Sequence, residues 1–276
     1  DGTNGQALVT NGSGTLSFST ISGGASSLND LTDVLVENNS LFLGTEPSST
    51  SGAANNVSVG INALESITTG DANIAIGRQA LKSSTTASSN TAVGYNSMYS
   101  IDSGGTNTAI GGNSLYTLVS SHQNVAIGYN ALYNTTGDSN TAVGYEAGKS
   151  NTSGVYNTSV GRHANNTSTG SYNTAIGAEA GTITSYSGSN NTLIGYNAEP
   201  SVAAGTNQTV IGSEATGVAN NSVTLGNDAV TAVYMAEDKG ATVHAGGFTM
   251  YSNGSSVYSL PTADGNNGDA LVTNGS

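Results

Sequence analysis

The stretch Asn107-Thr108-Ala109-Ile110-Gly111 decides the fold, because it recurs along most of the chain. Its glycine returns in twelve copies at intervals of 14 to 18 residues, most often 17. The twelve glycines are Gly44, Gly60, Gly77, Gly94, Gly111, Gly128, Gly144, Gly161, Gly177, Gly195, Gly212 and Gly226. A sustained period of this length indicates a repeat architecture, in which stacked units share one continuous core.

Each position of the repeat has its own residue type. The residue before the glycine, such as Ile110 or Ile127, is aliphatic in all twelve copies. Asn stands four residues before the glycine in nine of the twelve, as in Asn107 and Asn124, and Ala or Ser stands three residues after it in eleven. Small and β-branched residues that alternate with polar ones indicate short strands. We therefore predict an all-β parallel β-solenoid of about twelve coils of about 17 residues, each coil having two strands and two turns.

Three positions carry structural predictions. Gly111 and Gly128 are expected at a corner where the backbone has positive φ or approaches its neighbour closely, and an earlier glycine such as Gly104 at the opposite turn. Ile110 and Ile127 are expected in the buried column. The Asn column has two interpretations, a hydrogen-bonded ladder along the axis or local turn chemistry, and both remain open.

The composition excludes several classes of protein. The 276 residues carry a net charge of −13, with five Lys and Arg residues, 8% charged residues, 38 Gly and no Cys. Without a basic patch, nucleic acid and anionic membranes are poor partners. No apolar run approaches the ~18 residues of a membrane span, so we predict no membrane insertion. The repeat period also differs from the Gly-X-Y period of collagen.

The chain divides into five predicted segments. Residues 1–22 read as an N-terminal β module of two strands, 23–38 as a linker, and 39–230 as the repeat array. Residues 231–263 read as a β neck, and 264–276 as the start of a second copy of the N-terminal module. Because the chain begins and ends inside the same module, we expect a fragment or one unit of a longer array.

The array resembles two families of fibrous proteins. The copy Asn221-Ser222-Val223-Thr224-Leu225-Gly226 is similar to the head repeats of trimeric autotransporter adhesins. The form Asn191-Thr192-Leu193-Ile194-Gly195-Tyr196-Asn197-Ala198 and the flank Leu28-Asn29-Asp30-Leu31-Thr32-Asp33-Val34 resemble phage tail-fibre proteins. The resemblance implies a left-handed β-roll, three chains around one axis, and an extracellular or virion location. The period here is longer than in the adhesins by a few residues per coil.

One feature favours a homotrimer independently of the resemblance. Alternate residues of a strand face opposite ways, and both faces here carry small or aliphatic residues, such as Ala109 and Ile110. A lone coil buries only one of these faces. The second apolar face is therefore expected to pack against a neighbouring chain.

Tyrosines are the candidate binding residues. Tyr99, Tyr116 and Tyr133 lie five residues after the glycine in three successive copies and should form a stripe. Another four follow the glycine directly: Tyr95, Tyr129, Tyr145 and Tyr196. An exposed stripe can bind a host-surface glycan or a protein receptor, whereas the alternative is stacking that only stiffens the solenoid.

Other polar residues give weaker signals. His122, His163 and His244 are far apart, and Asp71 and Asp138 occupy equivalent turns without a calcium-repeat motif, so we predict no metal and no cofactor. A third set, Glu146, Glu179 and Glu214, shares the position two residues after the glycine. We predict no enzymatic activity. The alternatives to a tail fibre are a bacterial surface adhesin or filament subunit, a polysaccharide depolymerase that uses paired carboxylates, and an ice-binding solenoid.

Overall fold

The computed structural model describes residues 6–10, 16–20, 34–233, 249–252 and 255–259. The chain divides into two compact units, Asp1–Val230 and Thr231–Ser276, and the division falls at the predicted end of the array. The strands are β1 (Gln6–Thr10), β2 (Leu16–Thr20), β3 (Val34–Glu37), β4 (Ser40–Gly44), β5 (Val57–Gly60), β6 (Ile74–Ile76), β7 (Thr91–Val93), β8 (Thr108–Ile110), β9 (Val125–Ile127), β10 (Thr141–Val143), β11 (Thr158–Val160), β12 (Thr174–Ile176), β13 (Thr192–Ile194), β14 (Gln208–Ile211), β15 (Ser222–Leu225), β16 (Thr249–Ser252) and β17 (Ser255–Ser259). No helix long and apolar enough to span a membrane occurs among the described residues.

A single sheet of thirteen strands forms the array, and its strands follow one another in chain order from β3 to β15. From β4 onward every pairing is parallel and in register, so that Ala109 lies opposite Ala92 on one side and Ala126 on the other. This arrangement is a parallel β-solenoid of about eleven turns, which confirms the predicted fold class.

The flanking segments contain hairpins. Strands β1 and β2 of the predicted N-terminal module pair antiparallel, and so do β16 and β17 within the predicted neck. Strand β3 lies inside the predicted linker 23–38 and pairs antiparallel with β4, so it covers the first edge of the stack. The predicted module copy at 264–276 and His244 lie outside the described residues.

In the middle of the array the coil interior is lined by small residues on the sheet side and larger ones opposite. Ala109 and Ala126, at the strand centres, and Leu115 and Leu132, four residues after the glycine, are all at most 1% exposed. The Ala or Ser three residues after the glycine is also buried in the interior of ten coils. These residues form the core because the chain turns back beneath each strand and brings the two sets together.

The prediction that Ile110 and Ile127 lie in the buried column is wrong for the single chain. Their side chains point outward and are 40% and 38% exposed, whereas Ala109 between Thr108 and Ile110 points inward. The physical reason is the volume of the coil interior. The side chains of Leu115 and Leu132 fill the space beneath the strand, so only a small residue fits at the inward-facing strand position.

The prediction of two strands per coil is also wrong. Each repeat has one strand, and the rest of the coil consists of turns in which non-glycine residues adopt positive φ, such as Thr106 at 58°, Asn113 at 54° and Leu115 at 51°. Hydrogen bonds between coils satisfy the turn backbone, including 3.1 Å from the Leu115 amide to the Ala131 carbonyl. Strand periodicity cannot detect such turns, because their buried residues, such as Leu115, Leu118 and Ser121, do not alternate with exposed ones.

Of the two interpretations of the Asn column, the structure shows the ladder, which runs through the buried interior of the array. The Asn107 side-chain amide donates to Asn90 Oδ1 at 3.1 Å and to the Ser121 carbonyl at 2.8 Å. Asn107 Oδ1 in turn accepts from the backbone N–H of Asn124 at 2.9 Å and from its side-chain amide at 3.2 Å. The Asn107 side chain therefore satisfies two backbone groups of the following coil and bonds the Asn90 side chain of the preceding one.

Replacing Asn107 by Ala should destabilise the array by roughly 2–6 kcal/mol, because it leaves the Asn124 N–H and the Ser121 carbonyl buried without partners. Urea unfolding followed by circular dichroism measures the change. The control is Asn113→Gly, which removes two half-buried Asn–Asn contacts but relieves a non-glycine residue of a φ of 54°, and it should cost under about 1 kcal/mol. Equal losses from the two variants would contradict a buried ladder.

Candidate functional site

One corner of the solenoid, directly after the repeat glycine, carries most of its exposed aromatic residues. The residue one after the glycine is exposed, the residue two after it has positive φ, and the residue five after it is half-buried, as in Tyr95, Asn96 and Tyr99. Because coils stack in register, residues at one repeat position form a row along the axis. We call this corner the tyrosine face, which consists of the rows one, two and five residues after the glycine in the coils of Gly77 to Gly161.

The stripe predicted from the sequence is present in the structure. The ring centroids of Tyr99 and Tyr116 lie 5.2 Å apart, and those of Tyr116 and Tyr133 lie 5.0 Å apart, with nearly parallel planes. The rings cover one another's faces, so the row offers edges and hydroxyl groups to solvent. This geometry stiffens the stack, and the binding role stays a prediction.

The second row is interrupted. Tyr129 and Tyr145 stack with centroids 5.8 Å apart, and Tyr145 contacts the ring of His163 at 5.5 Å. Between Tyr95 and Tyr129 the same repeat position is held by Gly112, which has no side chain. In the described part of the chain no ring contact joins Tyr95 to Tyr129, so this row has a gap one coil wide.

A row of amides lies between the two tyrosine rows. The Asn96 amide donates to Asn113 Oδ1 at 3.2 Å, and Asn113 donates to Asn130 Oδ1 at the same distance. Asn130 donates to Glu146 Oε1 at 3.1 Å. The face therefore has a polar, hydrogen-bonded floor.

All four cationic side chains among the described residues stand at the two ends of this face. Arg78 and Lys82 precede the tyrosines and lie over the rings of Tyr95 and Tyr99, at 5.5 and 5.6 Å from the ring centroids. Lys149 and Arg162 follow the tyrosines. In a chain with a net charge of −13, this placement concentrates the positive charge on one surface.

Three of these cations are paired with carboxylates. Lys82 Nζ lies 3.6 Å from Glu65, Lys149 Nζ lies 2.8 Å from Glu146, and Arg162 contacts Glu179. In the described ranges Arg78 has no such partner, and its polar side-chain contact is a 3.5 Å hydrogen bond to the Tyr95 hydroxyl. Arg78 is therefore the cation available to an anionic ligand.

Two titrating groups of the face have shifted pKa values. Partial burial, followed by the nearby hydroxyls of Tyr133, Tyr99 and Tyr95, raises the pKa of Tyr116 above its usual value.

Partial burial also raises the pKa of Glu146, but hydrogen bonds from Lys149 and Asn130 outweigh this effect, so the pKa lies below its usual value. A general acid for glycoside hydrolysis needs the opposite shift. The predicted carboxylates are not adjacent either, because His163 occupies the coil between Glu146 and Glu179, and Asn197 the coil between Glu179 and Glu214.

The histidine and aspartate candidates have structural partners. Asp71 Oδ1 accepts from the Ala54 N–H at 2.7 Å, and Asp138 Oδ1 accepts from the His122 N–H at 2.8 Å. His122 Nδ1 accepts from the Gly105 N–H at 3.0 Å. These side chains link neighbouring coils, and the described residues contain no group of three or more potential metal ligands.

The sequence revealed the tyrosine rows but missed the Gly112 gap and the cations at the ends of the face. Reading the row one residue after the glycine in order would have shown the gap at Gly112 and the two terminal arginines, Arg78 and Arg162, and the row five residues after it contains the two lysines. Comparisons with protein-family models, curated proteins and solved structures found no match to this chain.

Proposed function

We propose that this chain is a structural and adhesive segment of an extracellular homotrimeric fibre, most closely a phage tail fibre. The observation that carries the proposal is the outer aliphatic stripe, formed by the residue before each repeat glycine. Its members are Leu43, Val59, Ile76, Val93, Ile110, Ile127, Val143, Val160, Ile176, Ile194, Ile211 and Leu225. Seven of them are 37–46% exposed in the single chain.

A continuous exposed apolar stripe is typical of an interaction surface. The row beside it, two residues earlier in each coil, contains only Thr, Val, Ile and Leu. These two uncharged rows form a flat surface that repeats along about eleven turns. A partner surface with the same repeat can pack against every coil of it. A further copy of this chain provides that surface.

Charge supports the same partner. Copies with a net charge of −13 repel one another, so they associate most easily through a surface without charged side chains. Three parallel copies would bury the stripe in a common centre and leave the tyrosine face outside. The left-handed winding of the coils and the trimer are both parts of this proposal. The stiff stack would act as a spacer, and the tyrosine face on its sides would attach to the host surface.

The native mass tests the trimer. Sedimentation equilibrium should give about 82 kDa, three times the 27.3 kDa of one chain. The variant Ile110→Asp should give single chains with an unchanged far-ultraviolet spectrum, because Ile110 is outside the coil but inside the proposed interface. The control Val119→Asp, at a side chain 50% exposed on another side of the coil, should remain trimeric.

Other masses would contradict the trimer in different ways. A 27.3 kDa wild-type species would leave the flat Thr and Ile surface free and would favour the ice-binding alternative. An open-ended polymer would favour a filament subunit.

A further inference from the structure

We propose that the gap at Gly112 is a binding site for one sugar ring of an acidic glycan. We call it the Gly112 notch, bordered by Tyr95, Gly112, Tyr116 and Tyr129 on the tyrosine face. This inference rests on the proposed adhesive role and assigns the chemistry of its ligand and the place where it binds.

The notch is the place where the stacked rows offer a free ring face. Within the rows, Tyr99, Tyr116 and Tyr133 cover one another. One face of Tyr95 is covered by Arg78, and its other face looks toward Gly112. Tyr95 and Tyr129 stand on coils two strand spacings apart, which is roughly 10 Å. That separation admits one ring between them.

The side chain of Tyr129 partly fills this space and has to move for a sugar ring to enter. A methyl group placed on Gly112 would lie 3.2 Å from Tyr129 Cδ2, so this ring leans into the gap. Its stacking on Tyr145 is correspondingly loose, at 5.8 Å compared with 5.0–5.2 Å in the other row. Moving Tyr129 back onto Tyr145 opens the notch and loses no hydrogen bond.

The ligand chemistry follows from what surrounds the notch. The apolar C–H face of a sugar ring packs against an aromatic face, and its hydroxyls need polar partners at the edge. The Tyr116 hydroxyl and the amide row with Asn113 provide them. Successive tyrosines at 5.0–5.2 Å allow neighbouring sugars of an extended chain to meet further hydroxyls along the axis.

Arg78 makes an acidic glycan the better match than a neutral one. Its guanidinium lies over the far side of Tyr95 and has no carboxylate partner among the described residues, so a carboxylate, sulfate or phosphate on the adjacent sugar can pair with it. The carboxylates Glu65 and Glu146, which share the repeat positions of this face, are paired with Lys82 and Lys149 and repel such a group little.

The test uses the full chain on a panel of capsular polysaccharides and lipopolysaccharide glycans, acidic and neutral. Wild-type protein should bind acidic members, and binding should weaken with salt. Gly112→Tyr should weaken binding about tenfold or more, since it continues the ring ladder through the notch, and Tyr95→Ala should do the same. Arg78→Gln should remove the preference for acidic glycans.

Two controls make the result specific. Tyr196→Ala removes an equally exposed tyrosine from the same repeat position outside the notch and should leave binding unchanged. Unchanged melting of Gly112→Tyr excludes misfolding as the cause. Periodate treatment of host cells should abolish adsorption of the protein, whereas protease treatment should not.

Three outcomes would overturn the proposal. These are no binding to any glycan of the panel, binding that Gly112→Tyr leaves intact, and adsorption to cells that protease but not periodate removes. The last two would leave the fibre's adhesive role standing with another face or a protein receptor. Failure of the trimer would appear separately, in the native mass.

Discussion

Replacing Gly111 by Ala is expected to destabilise the array by roughly 2–6 kcal/mol. Gly111 has a φ of +132°, a region that residues with a Cβ rarely adopt, and an added Cβ would lie 2.5 Å from the Gly128 carbonyl oxygen of the next coil. Backbone cannot move aside as a flexible side chain can, so the two coils must separate. That loss is a large part of the stability of an ordinary domain, roughly 5–15 kcal/mol.

The neighbouring glycine provides the control. Gly112 does not have positive φ, and an added Cβ would lie 3.2 Å from the side-chain ring of Tyr129, which can rotate away, and at an ordinary 3.9 Å from the Tyr95 carbonyl oxygen. Thermal unfolding should therefore show a large decrease in Tm for Gly111→Ala and little change for Gly112→Ala. Equal melting of the two variants would mean that the coils are not stacked through this corner.

A carboxylate in place of Ala109 should be nearly as damaging. Ala109 is 0% exposed at the centre of its strand, and among the described residues no Lys or Arg is buried in the coil to pair with an Asp there. An uncompensated buried charge costs about 3–5 kcal/mol. We expect Ala109→Asp to lower the urea midpoint strongly or to prevent folding, with loss of the β spectrum.

The chain itself contains the matched control for this substitution. Ser159 and Ser58 occupy the equivalent position in other coils and are buried there at 2% and 0% exposure. Ala109→Ser should therefore fold with nearly wild-type stability. If Ala109→Asp unfolded at the wild-type urea concentration, the assignment of this column to the interior would be incorrect.

The candidate site was only partly predictable from the sequence. Tyr99, Tyr116 and Tyr133 could be assigned to one row because the repeat period alone aligns them. The free face of Tyr95 could not, because it depends on Arg78 covering one side of the ring and on Gly112 leaving the other side open. The position of Arg78 over the ring and the open space beside Gly112 both depend on how neighbouring coils face each other. They appear only when side-chain directions are known.

The sequence alone was enough to predict the repeat and the parallel stack, but it left the Asn column open between a hydrogen-bonded ladder and local turn chemistry, and the structure shows the ladder. The glycine that each corner requires recurs at every period of the sequence. The Asn that bonds in both directions along the axis recurs in most of the copies. Which face of the strand lies inside could be seen only in the tertiary structure. Ala109 and Ile110 face opposite ways and are both apolar, so the alternation of residues along the strand does not distinguish the buried one. The choice follows from volume: Leu115 and its equivalents return beneath the strand through positive-φ turns, and the space left admits Ala but not Ile.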